Sequence, residues 1–190
     1  MGVSGAGKST LGMALAKELG LPYQDGDDLH PAANVEKMSI GTPLDDTDRA
    51  PWLLRIRHEG VKACSPTTSD GSQETQSGLK GLVIGCSALK RSYRRVLRGE
   101  DSSELHGETP DLRRHQFPTR FVYISGDKEE LMRRMTARTG HYMKAEMLNS
   151  QLATLEVPDP STEEGIVTVR LEDSTETQLK DAVAGLEALQ

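Results

Sequence analysis

Residues 2–9 read Gly2-Val3-Ser4-Gly5-Ala6-Gly7-Lys8-Ser9, with Thr10 following. This G-x-x-x-x-G-K-[ST] spacing suits one kind of chemistry. Glycines let the backbone curl tightly and turn successive N–H groups toward a nucleotide's phosphates; the lysine reaches the β- and γ-phosphates, and the next hydroxyl faces Mg²⁺. A second constellation, Asp25-Gly26-Asp27-Asp28, places carboxylates at the end of a short strand. Phosphoryl transfer needs one carboxylate to hold hydrated Mg²⁺ and another to orient the acceptor hydroxyl, roles assigned here to Asp25 and Asp27. The same residues also spell an Asx-rich turn, an alternative that spacing alone leaves open.

These groups need a scaffold to act together. Leu11, Ala14, Leu15 and Leu19 recur at helical spacing and Gly20 stops the run, so a helix starts at the loop and aims its positive end at the phosphates. Strands are expected at Leu21 to Asp25, Gly81 to Cys86, Arg120 to Ser125 and Ile166 to Leu171, the second as a continuous apolar run typical of a sheet covered on both faces. Helices are expected from Glu129 to Arg138, from Ala145 to Leu155, and around Leu179, Val183, Leu186 and Leu189. The alternation predicts an α/β fold with a parallel sheet and ligands at the strands' carboxyl ends. The Gly81–Cys86 strand ends in Cys86-Ser87, where many phosphate-loop ATPases carry a magnesium-binding aspartate, which returns the metal role to Asp25. Only Met1 stands ahead of Gly2, so the strand that normally feeds such a loop is expected to be truncated, leaving a slot between the second and third strands.

A length of 190 residues, 35% of them hydrophobic, with a mean hydropathy of −0.53, fits a single domain over 1–190 with a modest core. Segments 65–78 and 99–118 are polar and aperiodic and read as surface insertions. A net charge of −6 repels a nucleic-acid backbone, so nucleic-acid binding is not expected. Cys64 and Cys86, in no paired metal-ligand spacing, fit a reducing compartment such as the cytoplasm. No apolar stretch approaches membrane-spanning length.

Longer blocks carry a resemblance. Gly2 to Thr10, Asp25-Gly26-Asp27, His30-Pro31, Asn34, Lys37-Met38 and Gly41-x-Pro43-Leu44-x-Asp46-x-Asp48-Arg49-x-Pro51-Trp52-Leu53 resemble the gluconokinase family. So do Cys86-Ser87-Ala88-Leu89-Lys90-x-x-Tyr93-Arg94, Arg134-x-x-x-Arg138-x-Gly140-His141-Tyr142-Met143 and Ser150-Gln151-x-x-Thr154-Leu155-Glu156-x-Pro158. The resemblance implies a three-layer α/β/α P-loop kinase fold, similar to shikimate and nucleoside monophosphate kinases. It also implies ATP- and Mg²⁺-dependent phosphorylation of D-gluconate to 6-phospho-D-gluconate, and a homodimer. The alternatives are another small-molecule kinase of the same fold, or a truncated, non-catalytic nucleotide-binding protein.

The substrate would carry a carboxylate at one end and a primary hydroxyl at the other, so its pocket needs a cation. Arg49 is the candidate, against the alternative that it pairs with Asp46 or Asp48. His30 is expected to hydrogen-bond the sugar acid, although His-Pro is also an ordinary helix start. Lys90 and Arg94 are carried over from the family block as substrate or phosphate contacts. Arg134 and Arg138, four apart, look like part of a lid around 130–145 that brings positive charge to the migrating phosphoryl group. The competing reading of this pair is i,i+4 pairing with Glu130 or a solvated helix face. His141 and Gln151 match the family without a role that the residues themselves supply.

Overall fold

The computed structural model describes residues 1–64, 81–100, 117–137 and 142–189. Segment 65–78, most of 99–118, Arg138 and His141 therefore lie outside the described residues.

The chain enters helix α1 (Lys8–Leu19) directly from the glycine-rich loop. Leu11, Leu15 and Ala16 form its buried stripe, and Gly20, at φ 65°, closes it by donating to the carbonyls of Ala16 and Lys17. Strand β1 (Tyr23–Asp25) runs into a 3₁₀ turn over Gly26–Leu29, then α2 (Ala32–Ser39) and the long α3 (Asp46–Cys64). After β2 (Val83–Gly85) come α4 (Arg91–Arg98) and β3 (Phe121–Ser125). Helices α5 (Lys128–Ala137) and α6 (Tyr142–Thr154) precede β4 (Ile166–Arg170) and α7 (Thr175–Glu187). All four expected strands are present, each within its expected limits; β2 is shorter at both ends and the other three at one end only.

Both strand pairs are parallel. β1 lies on β2 with Tyr23 opposite Val83 and Asp25 opposite Gly85; β3 lies on β4 with Phe121 opposite Ile166 and Ser125 opposite Arg170. β2 and β3 share no ladder among the described residues, and the first residues of the chain run between them. Met1 donates its ammonium to the Val122 carbonyl and accepts from Ile124 N–H at 3.1 Å, while Gly2 N–H donates to Ser87 at 3.2 Å. The loop is thus placed at the carboxyl end of the strand pairs, where the sequence puts ligands.

α1 packs on β1, β2 and α7, and α7 packs on β4, whereas α3 pairs with α4 and α5 with α6. One apolar cluster joins them, with Leu89, Leu148, Leu171 and Trp52 almost wholly enclosed. Each such side chain contributes roughly 2 kcal/mol over its exposed state. A polar connection reinforces it: Arg94, 1% exposed, holds Glu163 through two hydrogen bonds of 2.6 and 2.8 Å, and Arg98 adds a third at 3.0 Å.

The start of α3 is fixed locally. Asp48 N–H donates to the Asp45 carboxylate at 2.9 Å, and Asp45 N–H donates to the Asp48 carboxylate at 2.8 Å, a reciprocal capping box. Pro51 lies six residues into the helix, where it deletes one backbone donor. Burial of Trp52, Leu53, Leu54, Ile56 and Val61 on the same helix offsets that loss.

Candidate active site

The loop forms as its glycines require. Gly5 and Gly7 sit at φ 83° and 89°, conformations that side chains oppose, and Gly7 immediately precedes α1. The first amides of α1, which have no partner within the helix, therefore converge on the loop with the helix's positive end. Lys8 folds over the loop and donates to the Val3 carbonyl at 3.1 Å. Burial pushes its ammonium below the ordinary lysine range, while Asp27, Cys86 and Asp25 pull it back up.

Ser9 and Asp25, the two residues assigned to the metal, lie side by side. Ser9 Oγ donates to Asp25 Oδ2 at 2.8 Å, and the Tyr23 hydroxyl donates to the same oxygen at 3.2 Å. Asp25 Oδ1 accepts from Asp27 N–H at 3.1 Å and caps the 3₁₀ turn, so the metal and turn readings describe one side chain with two oxygens in use. A serine hydroxyl beside a carboxylate at the surface is the hard-oxygen pair that Mg²⁺ takes while keeping most of its waters. No cluster of three or more His, Cys, Asp or Glu able to hold a metal occurs among the described residues.

A cleft opens beside the loop, lined by Ser4, Lys8, Asp27, His30, Arg49 and Gln151 with Trp52 and Leu44 at its apolar side. α3 supplies Arg49 and Trp52, one turn apart. Arg49 is buried, and its described side-chain contacts are the Tyr93 hydroxyl at 3.5 Å and the Tyr93 ring. The two acids that could neutralise it are committed elsewhere. Asp46 takes both of its bonds to Lys90, at 2.8 and 2.6 Å, and a third from Tyr93; Asp48 pairs with Lys37 at 2.5 Å. Lys90 and then Tyr93 hold the Asp46 carboxyl low, while burial and the bond to Asp46 push the Tyr93 phenol up to about 12. Arg49 is thus a guanidinium with no carboxylate in ion-pair range among the described residues.

His30 lies flat on Trp52, and the Trp52 indole N–H donates to the Gly26 carbonyl at 2.6 Å, tying the imidazole to the turn that carries Asp27. Asn34 donates its amide to the Asp48 carbonyl at 2.7 Å and lies 3.3 Å from His30 Nδ1. An amide nitrogen only donates, so Nδ1 accepts and the ring proton sits on Nε2. Burial pushes the imidazole below its usual range, Asp27 raises it and Arg49 lowers it, which keeps a neutral ring with one N–H to offer.

Three of the residues carried over from the family blocks do not line this cleft. Arg94 is spent on Glu163 and on the carbonyls of Ala88 and Leu89, because it is buried between α4 and the segment before β4. Lys90 is held by Asp46. Arg134 donates to Glu130 at 2.7 Å and to the Leu171 carbonyl at 2.8 Å, the i,i+4 alternative; with Arg133 it holds the Glu130 carboxyl near pKa 2. The phenol of Tyr23 enters the site without any local sequence signal, and the carboxamide of Gln151, matched by a family block, enters it in a role that the residues alone did not supply.

Known proteins resemble this chain in sequence and fold. A family model described as shikimate kinase matches residues 4–53, from the loop to Leu53 of α3. The chain is 42% identical to a gluconokinase of Gluconobacter oxydans over 99% of its length and 89% of that protein's. It is also 42% identical to a probable gluconokinase of Schizosaccharomyces pombe, covering 93% of this chain and 80% of that one. This chain belongs to the gluconokinase family. The crystal structure of a gluconokinase from Sinorhizobium meliloti superposes with a TM-score of 0.74 at 38% identity, covering 100% of this chain and 90% of the other. The three-layer P-loop kinase fold expected from the gluconokinase resemblance is therefore the fold observed. No helix among the described residues is long and apolar enough to cross a membrane.

Proposed function

We propose that the chain transfers the γ-phosphoryl group of ATP to the 6-hydroxyl of D-gluconate, giving 6-phospho-D-gluconate. The observation that carries this reading is Arg49, a buried guanidinium left without a carboxylate of its own, in the same cleft as Lys8 and Asp27. A planar fork of donors in that position matches a substrate carboxylate. The neutral His30, held by Trp52 and Asn34, offers Nε2–H to the polyol chain.

The division of labour follows from the chemistry. The amides of Gly5 and of Gly7 to Thr10, with the Lys8 ammonium, hold the phosphates, while Gly2, Val3 and Ala6, whose amide donates to the Val3 carbonyl, anchor the loop in the strands and core. Asp27 accepts the hydroxyl proton of the acceptor as the oxygen–phosphorus bond forms. Ser9 and Asp25 would hold Mg²⁺, which when bound neutralises charge developing on the phosphate oxygens. Arg134 and Arg138 act in our reading as lid residues of the segment 130–145, with Arg134 exchanging Glu130 for the phosphoryl group. The chain is read as a single domain over 1–190, working as a cytoplasmic enzyme and a homodimer, with small molecules rather than nucleic acid as its partners.

A coupled ADP-release assay over D-gluconate, shikimate and nucleoside monophosphates tests the assignment. Turnover is expected with gluconate alone and is expected to vanish in Lys8→Ala; equal turnover with shikimate overturns the substrate assignment.

A further inference from the structure

Gln151 is the point at which α6 touches the phosphate loop. The Ser4 N–H donates to its Oε1 at 2.6 Å, joining residues 147 positions apart. A backbone N–H can only donate, so the carboxamide has one possible orientation: oxygen toward the loop, amino group away from it. No partner for that amino group occurs among the described residues, and Gln151 lines the cleft together with Ser4, Lys8 and Asp27. A phosphoryl group passing from the loop and Lys8 to an acceptor held by Asp27 crosses this space.

We propose that Gln151 is a further residue of phosphoryl transfer: its oxygen fixes the loop at Ser4, and its amino group donates a hydrogen bond to the phosphoryl group in transit. The proposal rests on the kinase reading above. In the transfer the bond from the γ-phosphorus to its bridging oxygen breaks, the bond to the acceptor oxygen forms, and the acceptor proton goes to Asp27. Gln151 exchanges no proton. A neutral donor aimed at the equatorial oxygens stabilises charge that is greatest in the transition state, and in a site shielded from water it acts at full strength. The placement on α6 adds a coupling. The helix that returns from the segment 138–141 is held to the loop through the same side chain, so its seating and the donor's position are set together.

The test is Gln151→Glu. An ionised carboxylate still accepts from Ser4 N–H, so the tether survives, but the donor is replaced by a charge that repels phosphate. The expected result at pH 8 is a kcat at least about tenfold below wild type, with the melting temperature unchanged. A partial recovery of kcat as the pH is lowered toward 5 is expected as well, because protonation returns a donor to the side chain. A kcat loss of less than about tenfold overturns the proposal, since tethering alone then accounts for the residue. If Gln151→Glu does not fold, as read by Trp52 fluorescence, Gln151→Met is measured instead. A kcat loss of at least about tenfold at an unchanged gluconate KM supports the proposal, and a smaller loss or a KM effect alone overturns it. Wild-type protein that forms no 6-phosphogluconate removes the kinase reading and this proposal with it, a failure visible before any variant is compared.

Discussion

The His30 imidazole lies on the Trp52 indole with ring centroids 4.4 Å apart and planes 8° from parallel. Because Trp52 is also bonded to Gly26, the stack ties α3 to the turn bearing Asp27. Burial holds His30 below its ordinary range, so the unfolded chain takes up a proton at a higher pH than the native one. Stability from this group is therefore complete above about pH 6.5 and declines as the pH falls from there through the lower native value. Urea denaturation of wild type and His30→Gln between pH 7.5 and 5 is expected to show a steeper acid loss in wild type. Parallel curves would contradict it.

Arg49→Met is expected to raise the gluconate KM by roughly ten- to a hundredfold, the value of one charge-assisted bond or more, and to leave the ATP KM within about twofold. Steady-state kinetics with each substrate varied separately measures both. A change confined to ATP would place the guanidinium on the nucleotide instead.

Ser9 and Asp25 share one hydrogen bond of 2.8 Å, so either oxygen alone is a poorer metal ligand than the pair. Asp25→Asn is expected to raise the Mg²⁺ concentration for half-maximal rate about tenfold or more, and to weaken Mn²⁺ binding in the presence of nucleotide as followed by EPR. Unchanged Mn²⁺ binding would move the metal away from Asp25.

Arg94→Met is expected to leave the gluconate KM unaltered while destabilising the fold by about 3–5 kcal/mol, because Glu163 would remain buried with only Arg98 to face. Chemical denaturation beside kinetics separates the two effects. A raised KM at unchanged stability would restore the substrate role that the family block suggested for Arg94.

Much of the site was legible because its signals are local. The loop, the first helix and Asp25 follow from residue types at fixed spacing, and the four strands from apolar runs. Helix α3 was not read, since Pro51 and a charged start hide its period, yet its Asp45-x-x-Asp48 capping box was present to be seen. Arg94 misled because spacing on a helix does not tell a buried guanidinium from an exposed one; Glu163, its partner, lies 69 positions away. The Gln151–Ser4 contact likewise depends on how α6 packs, which no short window encodes. Arg49 shows the converse: its alternatives, Asp46 and Asp48, were readable, but that Lys90 and Lys37 occupy them required the fold.

The central claim is that this cleft joins the terminal phosphate of ATP to the primary hydroxyl of gluconate. Phosphorus NMR of purified protein with ATP, Mg²⁺ and D-gluconate tests it most directly. The account predicts a phosphomonoester resonance coincident with added 6-phospho-D-gluconate, appearing in step with ADP and absent from Lys8→Ala. ADP accompanied only by inorganic phosphate, or a sugar phosphate esterified at another hydroxyl, would contradict it.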